Sequence, residues 1–329
     1  MEISKHKEHD RIIELLEKEF IKPDNISLNN VYQSLIDYSK SDVSNYKIFK
    51  QKIGFTSKNC LEKNYLEQIN LHSGASTFAS DLPIYIQSKK QNAKTILVCA
   101  MDSLPPEPNK KNTSNPKHEQ FEVWDKIGFD LKSNVGFWGP FSLLNPDKIN
   151  EKDLNFIFFN ELRSEYNLYV TDIYKLFFYI DEGNDEFSKS NSKPKYKIID
   201  NHANILQKEI ETIKPHCIIT LGNDSRDKLL NIVNFEGNII KNWNILDGNG
   251  DKIGDFQDYT YKKDKFECKI ISSPHISTSA NGTKTSILNN PKYINILKQF
   301  LEEMETATNK KPRNEEKMAK IIINKLKEI

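Results

Sequence analysis

The sequence predicts an α/β protein: a three-layer sandwich around a central four-stranded parallel sheet, with added helices at its N-terminus. Three observations predict it. Four short runs read as strands, and the first of them, Thr95–Ala100, is a continuous apolar run of the kind buried on both faces of a parallel sheet. A stretch with helical features leads into the third of these runs, as expected where strands and helices alternate. The first 90 residues are polar and carry helical rather than strand spacing.

In chain order, Ile12, Ile13, Leu15, Leu16 and Phe20 form one apolar helical face, and Val31, Leu35 and Ile36 begin another. Pro23 breaks the chain between them, so residues 1–90 read as an N-terminal helical region. The pattern changes at Lys94. Thr95–Ala100 is the first strand and Asn167–Thr171 the second. A helix from about Asp200 to Thr212 leads into the third strand, Cys217–Leu221, which ends at Gly222. After a polar excursion, Phe266–Ser272 is the fourth and runs into Pro274 and His275. Residues 91–307 therefore form the α/β domain. Residues 181–197, acidic first and basic after, read as a solvated insertion loop or as a basic flap over DNA. Asn309–Arg313 look like a linker. Residues 308–329 form a C-terminal amphipathic helix whose Met318, Ile321, Ile322, Ile323 and Leu326 face is short and suits packing back on the core, the rival reading being membrane binding.

At 329 residues the chain can hold one large domain, or one domain with an appendage. Hydrophobic content of 37% and charged content of 28% suit a globular protein rather than a disordered or membrane one. The formal net charge of +1 gives no global field for nucleic acid, so any DNA-binding face must be local. Cys60, Cys99, Cys217 and Cys268 lie far apart with no CxxC pair, so neither a metal site nor a cofactor is expected. No signal-peptide core and no run near the roughly 18–20 apolar residues of a spanning helix are present. A cytoplasmic location away from membranes is the expectation; protein partners are not legible.

Ligands of open α/β sheets bind beyond the carboxyl ends of the strands. The four strands lead, in order, into Met101-Asp102-Ser103-Leu104, Asp172-Ile173-Tyr174-Lys175, Gly222-Asn223-Asp224 and Pro274-His275-Ile276-Ser277. Two aspartates, an asparagine and a histidine should therefore converge on one rim.

The order and spacing of five blocks resemble the uracil-DNA glycosylase superfamily. ILVCAMDSL is similar to its first motif, VGFWGPFSLLN to the block with the base-stacking Phe, and NLYVTDIYK to the strand with the base-reading asparagine. EIETIKPHCIITLGNDSRDKLL and IISSPHISTSANG resemble its helix–strand–Gly–helix block and its final His motif. The resemblance implies a uracil-DNA glycosylase-like fold and a set of roles. Asp102 would orient the water that attacks C1′, and His275 would donate to the base carbonyl as negative charge builds there. Phe137 would stack on a base flipped out of the duplex. Ser277, Lys284 and Asn223 would meet DNA. The alternatives are plain ones: a helix cap for Asp102, a structural role for His275, core packing beside Trp138 and Phe141 for Phe137, and a turn for Asn223.

The departures from that family carry the substrate expectation. Where its uracil enzymes use an asparagine, which both donates and accepts, this chain has Asp172. A carboxylate opposes the O4 lone pairs of uracil but accepts from N4 of cytosine, and a protonated carboxyl would also donate to N3. The rival reading is that Asp172 turns away and caps the next element. Leu104 falls where a tyrosine ring crowds C5 of the base, leaving space for a 5-substituent. An enzyme excising ordinary cytosine would destroy its own genome, so the pocket should require a modification. The superfamily includes an antiphage branch that removes glucosylated 5-hydroxymethylcytosine from viral DNA, and this chain is similar to it in pocket logic. Ile276 replaces the usual proline and TSANGTK offers no bulky wedge, which suits single-stranded or already distorted DNA, where flipping costs less, and leaves the choice between single- and double-stranded DNA open. Three functions are compatible with these residues: a monofunctional glycosylase on a modified cytosine, a uracil-DNA glycosylase of base excision repair, and a catalytically inactive DNA-binding module. Lys175 is the residue to watch for a lyase step.

Overall fold

A computed structural model describes residues 7–19, 75–80, 83–100, 154–173, 176–180, 202–239, 243–276, 280–308 and 311–329. The chain divides into two compact units. One comprises Met1–Pro83, Asp102–Val135 and Asp172–Ile213; the other comprises Ile84–Met101, Gly136–Thr171 and Lys214–Ile329.

In the first unit, α1 (Lys7–Glu19) packs against α3 (His202–Ile213). Ile12 and Ile13 on α1, and Ile205, Leu206, Ile210 and Ile213 on α3, are buried, as the apolar spacing of both helices requires. Strand β1 (Ala75–Ser80) pairs antiparallel with β5 (Leu176–Ile180), with Ser80 opposite Leu176 and Ala75 opposite Ile180.

The second unit is built on one seven-stranded sheet. Its strands are β2 (Ile84–Ile86), β3 (Thr95–Ala100), β4 (Asn167–Asp172), β6 (Cys217–Leu221), β7 (Phe235–Glu236), β10 (Gln257–Lys263) and β11 (Phe266–Ser273). The order is β2-β4-β3-β6-β11-β10-β7. The four strands expected from the sequence are thus present, adjacent, and correct in their bounds to within a residue. β3, β6 and β11 run parallel, with Val98 beside Ile219 and Ile219 beside Ile271. Ile96, Leu97, Val98, Ile218 and Ile219 are fully buried, which is why these strands read as unbroken apolar runs. Cys99, Cys217 and Cys268 are buried free thiols in the same sheet, and burial pushes the Cys217 thiol well up.

The sheet is wider than the four strands expected. β2 joins β4 antiparallel, β10 joins β11 antiparallel, and β7 lies at the far edge. β10 alternates buried Gln257, Tyr259 and Tyr261 with exposed Asp258 and Lys262, so a one-sided strand lies inside what reads as a polar excursion. β2 and β7 are too short to register. The N-terminal 90 residues also correct the sequence reading: alongside α1 they carry strands β1 and β2.

Helix α2 (Leu154–Arg163) buries Phe158, Phe159 and Leu162, and α4 (Asn223–Ile232) packs against β6. A hairpin of β8 (Asn244–Leu246) and β9 (Lys252–Gly254) leads to β10. Helices α5 (Asn281–Leu288) and α6 (Ile294–Thr308) come after β11, and α7 (Asn314–Lys327) ends the chain. Gly254 is where β9 meets α5: a Cβ there would lie 2.8 Å from the Ile287 backbone nitrogen, so no other residue fits. Helix α7 runs along α2 and also contacts α5 and α6. Met318, Ile321, Ile322, Ile323 and Leu326 are all buried. The C-terminal helix therefore packs back on the α/β unit and belongs to it rather than standing apart.

Candidate active site

Because β3, β6 and β11 are parallel and in register, their carboxyl ends share one edge of the sheet. At that edge the loops after β6 and β11 are clasped together. The Gly222 N–H donates to the Ser273 carbonyl at 2.7 Å. Gly222 has φ 95° and ψ 164°, a conformation that side chains strain to adopt. A Cβ at Gly222 would sit 3.6 Å from the Cβ of His275, so the backbone of one loop lies against the side chain of the other. Below the rim, the Thr220 and Ser272 hydroxyls are hydrogen-bonded at 3.2 Å between neighbouring strands.

Gly222 caps α4, and Asn223 is the first residue of that helix, exposed to solvent. The same helix is fastened underneath by Arg226, which is 1% exposed. Arg226 donates to Gln257 Oε1 and to Asp227, and its guanidinium lies 5.7 Å from the centre of the Trp243 ring.

His275 comes after buried Pro274 and precedes buried Ile276. It keeps an exposed face, while neighbouring atoms on its other side withdraw solvent. That desolvation lowers its imidazole pKa from the ordinary 6.5, and the positive charge of Lys284 lowers it further. At neutral pH the ring is therefore uncharged, with one N–H to donate and one nitrogen to accept. A neutral donor held at the carboxyl edge of a parallel sheet can stabilise an anion forming on a substrate without first losing a proton.

Asp172 is the last residue of β4, and its side chain is completely buried, as are those of Thr171 before it and Ile173 after it. The next described element is strand β5, which has no helical N–H groups for an aspartate to cap. Asp102, Leu104, Phe137, Ser277 and Lys175 lie outside the described residues; β3, which leads to the first two, ends at Ala100.

Lys284 departs from the sequence expectation. Rather than facing outward toward a phosphate, it is 2% exposed. Its ammonium donates to the Ile276 carbonyl at 2.8 Å and to the Glu315 carboxylate at 2.5 Å. The reason is positional: Lys284 lies on the inner face of α5 with Ile287. Glu315 is the site-supporting residue that sequence reasoning did not single out. LGN directly after an apolar strand is a usable signal for Gly222, whereas nothing in RNEEK marks one of two adjacent glutamates as buried.

An open α/β sheet with a neutral histidine and a glycine-opened helix at its carboxyl edge defines an α/β domain with the architecture in which ligands bind at that rim. The sequence profile of the uracil DNA glycosylase superfamily matches residues 134–302, and the chain belongs to that superfamily. The matched span holds Phe137, Asp172, Asn223, His275, Ser277 and Lys284; Asp102 and Leu104 precede it. No curated protein matches the chain. The superfamily is one of DNA glycosylases, and DNA is the partner that membership supports. Among the described residues, no helix is long and apolar enough to cross a membrane.

Proposed function

We propose that the protein is a monofunctional DNA glycosylase that removes a modified cytosine, glucosylated 5-hydroxymethylcytosine in foreign DNA being the substrate that best fits, and leaves an abasic site. The observation that carries this reading is Asp172: a fully buried aspartate at the end of the strand where the superfamily's uracil enzymes read the base with an asparagine. A carboxylate accepts from the exocyclic amine of a cytosine and repels O4 of uracil. A site whose buried polar group is mismatched to a base loses orders of magnitude in rate on that base.

The reaction is a hydrolysis at C1′. The C1′–N1 bond breaks with its electron pair passing to the base, and a water oxygen bonds to C1′. Asp102 orients that water, takes up its proton and sits on the side of the positive, oxocarbenium-like sugar. His275 donates its N–H to the base carbonyl where the negative charge gathers. Phe137 stacks on the flipped base, Leu104 leaves room at C5, and Ser277 and the backbone around Asn223 hold the phosphates. No lysine nucleophile is invoked, so the strand stays uncut.

The test is base release, measured by mass spectrometry, from matched DNAs carrying uracil, cytosine, 5-hydroxymethylcytosine or its glucosylated form. Release from a modified cytosine alone, abolished by Asp102→Ala, is the expected result. Uracil release would overturn the role given to Asp172 and make the protein a repair enzyme. Retained DNA binding with no release from any of the four would make it a binding module.

A further inference from the structure

Lys284 presents a physical puzzle. A lysine on the inner face of a helix gives up its hydration, and a buried ion pair is often no more stable than two apolar side chains of the same volume. The Lys284–Glu315 pair is 2% and 5% exposed at its side chains, so stability is a poor reason for its presence. What an apolar pair could not do is make the remaining bond. Lys284 also donates to the carbonyl of Ile276, the residue directly after His275.

The geometry of this contact is one-directional. Ile276 is buried, so its carbonyl needs a donor from within the protein. Glu315 stands in the first turn of α7, where the helix N-terminus favours negative charge, and its carboxylate accepts from the Lys284 ammonium. α7 in turn packs along α2 and has Ile321, Ile322 and Ile323 buried. A chain of contacts therefore runs from the C-terminal helix, through Glu315 and Lys284, to the loop that carries His275.

We propose that Lys284 and Glu315 are positioning residues for His275: the buried pair fixes the Ile276 carbonyl, and with it the height and direction of the imidazole at the rim. The role rests on the reading of His275 as the group that meets the leaving base, yet the position of the ring can be measured without any substrate. Lys284 also sets the electrostatic setting of the ring. Lys284 is the charge acting on His275 from α5, Glu315 of α7 lies behind it, and the loop after β6 brings the uncharged Gly222 close to the ring.

The experiment compares full-length wild type with Lys284→Met, Glu315→Gln and the double variant Lys284→Met/Glu315→Leu. The double variant replaces both charges, so the fold is retained even where a single change leaves a buried group unpaired. Four quantities are read: melting temperature, the pH midpoint of the His275 imidazole by NMR (assigned with His275→Gln), the Ile276 resonances, and kcat against KM for base release. The double variant is expected to melt below wild type by no more than the unpaired Ile276 carbonyl costs, yet to show a raised His275 midpoint and shifted resonances for Ile276. Its kcat should fall on the order of 10- to 100-fold, as for a reacting group displaced by about 1 Å, with KM nearly unchanged. A double variant with wild-type midpoint, resonances and kcat would overturn the proposal and leave the pair purely structural. If wild type releases no base at all, the glycosylase reading fails on its own, while the midpoint and the resonances still decide the positioning role.

Discussion

Two histidines stand at opposite ends of the same sheet, each beside a lysine, and each has its pKa lowered by desolvation first and by that lysine second. His216 precedes β6 at its amino end. Its N–H donates to the Thr95 carbonyl, its ring stacks near Tyr166, and exposed Lys94 lies 3.3 Å from Nε2. His275 comes after β11 at the carboxyl end, beside a glycine-opened turn, and its lysine is buried and paired. A depressed pKa is thus not in itself a mark of function: the same two causes act at both ends. What separates the two rings is topology, because only the carboxyl edge of a parallel sheet gathers loops into a binding crevice.

The sharpest way to break the comparison is to remove each ring in turn. His275→Gln is expected to lower kcat for base release about 10²- to 10⁴-fold, the range for loss of a positioned proton donor. His216→Gln should leave kcat within about twofold, since its ring touches the opposite edge; equal losses in the two variants would sink the distinction. The lysines give the next largest contrast, in stability rather than rate. Glu315→Leu leaves the Lys284 ammonium buried with no carboxylate, and urea unfolding should show a loss of about 3–5 kcal/mol. Lys94→Met removes only an exposed contact and should change stability by about 0.5 kcal/mol or less.

The same physics explains how much of this is legible in the sequence. Strands β3 and β6 are readable because burial on both faces demands nearly continuous apolar runs, as in Ile96–Ala100 and Cys217–Leu221. The rim is readable in consequence: once the strands are parallel, the residues after them, His275 and Gly222 among them, must lie at one edge. The antiparallel margins are not. β10 hides its period-two pattern behind tyrosines and charges, and β2 and β7 are only three and two residues long. Lys284 misleads because a lysine near a phosphate-binding motif is ordinarily exposed. Its true partner lies 31 residues away on another helix, a pairing that no local spacing encodes.

The smallest effect is the pH response, and its sign can be worked out. Both histidines have folded-state pKa values below the 6.5 of the unfolded chain. The unfolded state therefore binds more protons once the pH falls through 6.5, and stability declines from there until the folded-state values are passed. Above pH 6.5 neither ring contributes a slope. The exposed faces of both rings let solvent screen the effect, so the slope stays well under the one-proton limit at each site. Melting temperatures from pH 8 to pH 5 should fall less steeply in His275→Gln and in His216→Gln than in wild type. Activity distinguishes the two where stability does not. Base release should hold its rate as the pH drops through 6.5, because His275 remains neutral and able to donate. Lys94→Met should leave that profile in place, whereas Lys284→Met should move its acid limb to higher pH. An acid limb that moves with Lys94 and not with Lys284 would transfer the chemistry to the other end of the sheet.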